Sequence, residues 1–211
     1  MNQIHELTTA NRLLLADLLE SLDEQQWHTP TLCAGWSAQE MAAHLLQPSI
    51  TSFAQVFLVA IRYRGNTDRT VDHITRRIAR RPRSDLIRLL RAHAHDRLDP
   101  PRVGPMGPYV DTCIHLRDIA RPLGLETTVE GHQWRLVLDY LTAPGPAPAL
   151  FGVHSLQGLA LHATDLDHTW GDPHGQRIEG PAEALAMAIT GRTHALPDLT
   201  GPGLAQLRLK T

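Results

Sequence analysis

The feature that most constrains this chain is a change of texture at Ala143-Pro144-Gly145-Pro146-Ala147-Pro148. Prolines alternating with Ala and Gly support neither a helical nor a strand ladder, so residues 143–150 read as a stiff linker. Ahead of it, apolar residues recur at helical spacing; after it, they alternate between turn-forming glycines and prolines. The expected fold is mainly α, with helices over residues 1–142 and a small α/β domain over 151–211. At 211 residues and 42% hydrophobic, the chain can bury a core without disulfides.

In the first part, Ile4, Leu7, Leu14, Leu18 and Leu22 predict a helix over 3–25. A second helix is expected over 38–64, bent at Pro48, with Phe53, Phe57, Leu58 and Ile61 continuing its apolar stripe and Gly65 stopping it. Residues 68–97 predict a helix in two pieces cut by Pro82, with Ser84 capping the second from 85. A loop over Asp99–Pro108 leads into a helix over 109–121, and Trp134, Val137, Leu138 and Leu141 mark another over 130–142. Beyond the linker, alternation over Leu156–Trp170, turn residues 171–175 and a short strand at 177–179 suggest a hairpin. Gly180-Pro181 then opens a helix that Gly191 closes.

Composition removes several function classes. The only lysine is Lys210, so Schiff-base and P-loop lysine chemistry is excluded. A formal charge of -2 and a pI near 6.7 argue against a general nucleic-acid partner. Met1 leads into an amphipathic segment, not an apolar signal core, and no stretch reaches membrane-spanning length. A cytoplasmic protein without membrane partners, monomeric or homodimeric, is expected. The two cysteines, Cys33 and Cys113, are then free thiols. Seven arginines between 76 and 91 read as the solvated face of a helix, not an anion site.

Two stretches carry candidate chemistry. In Cys33-Ala34-Gly35-Trp36-Ser37-Ala38-Gln39-Glu40-Met41-Ala42-Ala43-His44, Ser37 and Glu40 have capping-box spacing, with Trp36 and Met41 at the staple positions. His44 therefore follows about two turns after a firmly fixed helix start. In Asp111-Thr112-Cys113-Ile114-His115-Leu116-Arg117-Asp118, Asp111 and His115 share one helical face. With His44 they make a His, His, carboxylate set that can hold a metal and leave positions open. Asp118, one turn after His115, can orient a ligand or pair with Arg121, whereas Glu40 is occupied by its cap. His162, Asp165 and His168 have no third partner specified and are expected to be structural or surface residues.

These motifs, together with Asp-x-x-x-His-x-x-Asp-Ile-x-Arg-Pro-Leu-Gly from Asp111 to Gly124, resemble the actinobacterial DinB-like family related to mycothiol-dependent maleylpyruvate isomerase. Ala163-Thr164-Asp165, Gly180-Pro181-Ala182-Glu183-Ala184 and Gly191-Arg192 look like that family's small C-terminal domain. The resemblance implies a four-helix bundle holding a divalent metal, zinc being the expected ion, on His44, Asp111 and His115. It also implies mycothiol as thiol cosubstrate and Arg192 as an active-site arginine able to bind a substrate carboxylate. The isomerase itself has Glu where this chain has Asp111, and the shorter arm still ligates.

A metal on three protein ligands lowers the pKa of a bound thiol or water. Addition of the thiolate to a conjugated double bond, rotation and elimination give an isomerase acting on a small electrophilic or unsaturated molecule. Without elimination the product is a thioether and the protein an S-transferase. The same ligands without a thiol would make a metal-water hydrolase, and a noncatalytic metal-binding bundle is the remaining alternative. A Cys33 enzyme is disfavoured because the sequence places no His to activate it.

Overall fold

A computed structural model describes residues 2–127, 129–153 and 156–208, so Lys210 lies outside the described residues. The fold is mainly α, with ten α-helices and a three-stranded sheet among those residues. The chain divides into two compact units, 1–100 with 107–127, and 101–106 with 128–211. No helix of the described residues is long and apolar enough to cross a membrane.

The first unit contains α1 (Asn2–Ser21), α2 (Glu24–Trp27), α3 (Ala38–Ile50), α4 (Phe53–Arg62), α5 (Thr67–Ile78), α6 (Arg83–Ala92) and α7 (Met106–Ala120). Helices α1, α3, the α5–α6 pair and α7 form the bundle, with α3 against α5 and α6, and α1 against α6. Leu15, Leu19, Met41, Leu46, Ile74, Leu86, Leu116 and Ile119 fill its core. Burying each such side chain is worth roughly 1.5–3 kcal/mol, so apolar periodicity outweighs local propensity in fixing these helices. The predicted helix over 3–25 is broken at Leu22-Asp23, because Asp23 caps α2 in a capping box with Gln26.

The expected bend at Pro48 is instead a helix end three residues later. Helix α3 runs through Pro48, Thr51 is extended, and Ser52 starts α4 with its own capping box to Gln55. Phe53, Phe57, Leu58 and Ile61 do lie on a helix, but all four are exposed and α4 buries none of its residues. Ser84 does not cap α6. Pro82 takes that position without a side-chain cap, its carbonyl accepting from the Asp85 and Leu86 amides.

The second unit contains α8 (Gly131–Leu141), β1 (Leu159–Ala163), β2 (His168–Gly171), β3 (Gln176–Gly180), α9 (Ala182–Ile189) and α10 (Leu204–Arg208). Helix α8, placed before the linker by sequence, groups here with α9, and Asp139 on it accepts from the Trp170 indole at 2.6 Å. Strand order is β2-β1-β3. The hairpin joins β1 and β2, with Ala163 opposite His168, while β3 pairs parallel to β1. The turn at 171–175 therefore carries the chain past the end of β1 instead of closing a hairpin. The segment is a turn, as its residues predict, but strand pairing depends on partners that turn chemistry does not name. Asp165 has a structural role: its Oδ1 accepts from the Ala182 amide at 2.9 Å, at the start of α9.

Candidate metal centre

The approach to the site begins in the loop before α3. Gly35, at a φ of 80°, lets the chain turn so that the Trp36 amide donates to the Cys33 carbonyl at 3.1 Å. Ser37 then caps α3, and its amide and hydroxyl both donate to Glu40 Oε2, at 3.0 and 2.5 Å. Burial would raise the Glu40 pKa, but these bonds outweigh it and hold the carboxyl below its ordinary value. Glu40 thus serves the cap. Trp36 donates to Asp72 at 2.9 Å, and its ring lies 4.9 Å from that of His44.

His44 and His115 approach Asp111 from different helices. His44 Nε2 is 3.4 Å from Asp111 Oδ2, and His115 Nε2 is 3.2 Å from Asp111 Oδ1. The two imidazoles meet edge to face, with centroids 5.0 Å apart. Burial would raise the Asp111 pKa, yet the charge and hydrogen bond of His115 and the bond from His44 hold it well below the usual carboxylate range. Burial would likewise lower the His115 pKa, but Asp111, Asp118 and Cys33 raise it well above its ordinary value.

The far side of His115 is built from charge. Nδ1 lies 2.8 Å from Oδ2 of Asp118, which is fully buried, and Cys33 Sγ donates to the same oxygen at 3.2 Å. Asp118 therefore holds the His115 ring and the Cys33 thiol on one carboxylate oxygen. Cys33 Sγ also lies 3.9 Å from His115 Nδ1, a neighbour that sequence spacing does not place beside it. His44 Nδ1, by contrast, is buried with no hydrogen-bond partner.

Two residues of α1 were missed by the sequence reading. Asn11 donates to Thr112 Oγ1 and Cys113 Sγ, both at 3.2 Å, pinning α1 to α7. Buried Arg12 donates to the carbonyls of Ala94 and Asp96; burial lowers its pKa against the opposing charges of Asp96 and Asp111. A polar residue recurring inside an apolar stripe was the available signal for both. Cys113 is fully buried, and burial pushes its thiol up to about 12, so it is inert. The arginine run is tied down locally: Arg76 to Asp72 and the Gly35 carbonyl, Arg88 to Asp85, and Arg91 to Asp17 and Glu20. Arg83 donates to the Leu19, Glu20 and Leu22 carbonyls. Arg192 lies in the second unit, just beyond α9, where Nη1 donates to the Thr190 carbonyl at 2.7 Å.

Residues 10–105 match the family model described as the mycothiol maleylpyruvate isomerase N-terminal domain. The match covers 96 of the chain's 211 residues, so that segment is similar to this domain family. The whole chain also has the fold of mycothiol-dependent maleylpyruvate isomerase. A crystal structure of that enzyme with one histidine replaced by alanine superposes with a TM-score of 0.65 at 12% identity, over 95% of this chain and 92% of the other. A second crystal structure of the enzyme gives 0.57 at 13%, with the same coverage. No curated protein matches the chain in sequence.

Within this isomerase-like fold, two groups of metal donors share His115 among the described residues: His44, Asp111 and His115, and Cys33, His115 and Asp118. In each group all donor atoms lie within 4.8 Å of one another. Metal–ligand bonds of ~2.0–2.1 Å at tetrahedral angles set neighbouring donors roughly 3.3 Å apart. Each imidazole Nε2 has one Asp111 oxygen near that spacing, Oδ2 at 3.4 Å from His44 and Oδ1 at 3.2 Å from His115. His44 and Asp111 keep side-chain exposures of 17% and 28%, so that side of the group is open to solvent. Asp118 at 0% is closed to it, and its Oδ2 is engaged by His115 and Cys33. The first group therefore fits a divalent ion with open positions, and the second fits its support.

Proposed function

We propose that the protein is a metal-dependent, mycothiol-dependent isomerase or S-transferase acting on a small electrophilic or unsaturated organic molecule. The observation that carries this reading is the pair of imidazole Nε2 atoms flanking the partly exposed Asp111 carboxylate, on a fold shared with a mycothiol-dependent isomerase. His44, Asp111 and His115 would hold the ion. When bound, a divalent ion supplies Lewis acidity, lowering the pKa of a thiol or water within its reach.

The chain's own residues contribute position and charge. Asp118 accepts from His115 Nδ1 and so turns Nε2 toward the centre. Arg192 is assigned, on the resemblance, to binding a substrate carboxylate through its guanidinium fork. Its replacement by Ala is expected to raise KM for an anionic substrate more than it lowers kcat.

The test is product formation from maleylpyruvate-like alkenes and from a generic electrophile, omitting metal and thiol in turn. Activity should require both, should rise with pH as thiolate forms, and should be much higher with mycothiol than with glutathione. Undiminished turnover of an ester or amide without thiol would replace this reading with a metal-water hydrolase.

A further inference from the structure

We propose that Cys33 is a positioning residue for His115, acting through Asp118; this deepens the metal-centre reading and rests on it. Cys33 Sγ and His115 Nδ1 both address Oδ2 of Asp118, at 3.2 and 2.8 Å. Asp118 is fully buried, so bulk water does not compete for that oxygen and each protein donor has a large share in fixing it. The thiol holds the carboxylate, the carboxylate holds the imidazole ring, and the ring's Nε2 faces Asp111 at 3.2 Å. In this arrangement the thiol acts as a hydrogen-bond donor, and neither a nucleophile nor a metal ligand is required of it.

The backbone around Cys33 is fixed in a way that suits the role. The Leu32 amide donates to the Asp118 carbonyl at 3.1 Å, docking the loop on the same residue its neighbouring side chain contacts. Thr31 Oγ1 accepts from the Cys33 amide at 3.2 Å and donates to the Trp36 carbonyl at 2.9 Å. Arg76 donates to the Gly35 carbonyl at 3.1 Å, and Asp72 receives the Trp36 indole. One short loop therefore contacts both imidazoles of the centre: His115 through Cys33 and Asp118, and His44 through the Trp36 ring. A thiol at position 33 links the loop's conformation to the ligand helix without needing a second charge.

Cys33→Ala removes the donor; Cys33→Ser keeps a hydroxyl donor in nearly the same place. The first readout is the ¹⁵N resonance of His115 Nδ1 in the chelator-treated, metal-free protein, assigned by comparison with His115→Gln. The second is the visible spectrum and affinity of added Co²⁺, with thermal melts to verify folding. Cys33→Ala should shift the His115 resonance, alter the Co²⁺ spectrum and weaken Co²⁺ binding about tenfold, as loss of an outer hydrogen bond does. Cys33→Ser should keep all three close to wild type. An unmoved His115 resonance in Cys33→Ala overturns the proposal, as does a Cys33→Ser variant altered as much as Cys33→Ala, which would make packing the cause. If the wild-type protein takes up no Co²⁺, the metal reading fails, while the metal-free resonance still decides the role of Cys33.

Discussion

His115 and His44 face the same carboxylate from differently built surroundings. Behind His115 stand a fully buried Asp118 and the Cys33 thiol, so its Nδ1 has a charged acceptor 2.8 Å away. Behind His44 stands the Trp36 ring, and its own Nδ1 is buried without a partner. His115 is held by hydrogen bonds that fix its tautomer, whereas His44 is held by packing and by the entry angle of α3. A ligand whose outer nitrogen donates to a carboxylate is more basic and better oriented than one without such a partner. Of the two imidazoles, the one on α7 is fixed by buried hydrogen bonds and the one on α3 by packing.

The largest expected effect separates the two histidines. His115→Ala should abolish metal uptake and also destabilise the metal-free fold by about 3 kcal/mol, because it strands a buried carboxylate. His44→Ala should weaken uptake but leave the metal-free melting temperature nearly unchanged. Paired metal titrations and melts check this, and equal effects of the two variants on stability would show that His115 is no more firmly held than His44. Asp118→Asn comes next: metal affinity should fall ~10–100-fold with His44 untouched.

The buried hydrogen bonds also predict how stability responds to pH. His115 has a raised folded-state pKa, so its stabilisation is complete below its unfolded value of ~6.5 and is lost as pH rises through the folded value. Asp111 has a depressed one, so its stabilisation is present above ~3.9 and is lost as pH falls through its folded value. Melts of chelated protein should therefore peak between those limits and decline on the alkaline side. With metal present the alkaline slope should reverse, since binding needs a deprotonated imidazole. Identical pH profiles with and without metal would contradict an ion at His115. The smallest effect belongs to the His44 side, where Ser37→Ala should cost about 1 kcal/mol through the lost cap. A parallel drop in metal affinity would show that the cap aims His44.

Much of this arrangement was legible in the chain. The Ser37–Glu40 box and the Asp111–His115 spacing are local patterns, and local patterns fix a helix start and a shared helical face. What escaped was what depends on packing between distant segments. Nothing in the spacing says that Cys33 meets Asp118 across 85 positions, or that Arg12 is buried. The same limit explains α4, whose apolar residues were recognised but whose exposure was not, and β3, whose parallel partner lies beyond a turn read correctly.

The most direct measurement is the metal content of protein purified without an affinity tag, determined by elemental analysis beside Asp111→Ala. About one equivalent of a divalent ion per chain is predicted for the wild-type protein, and close to none for the variant, with its helical content retained. Equal metal content in the two proteins, or none in the wild type after incubation with zinc, would contradict the centre formed by His44, Asp111 and His115.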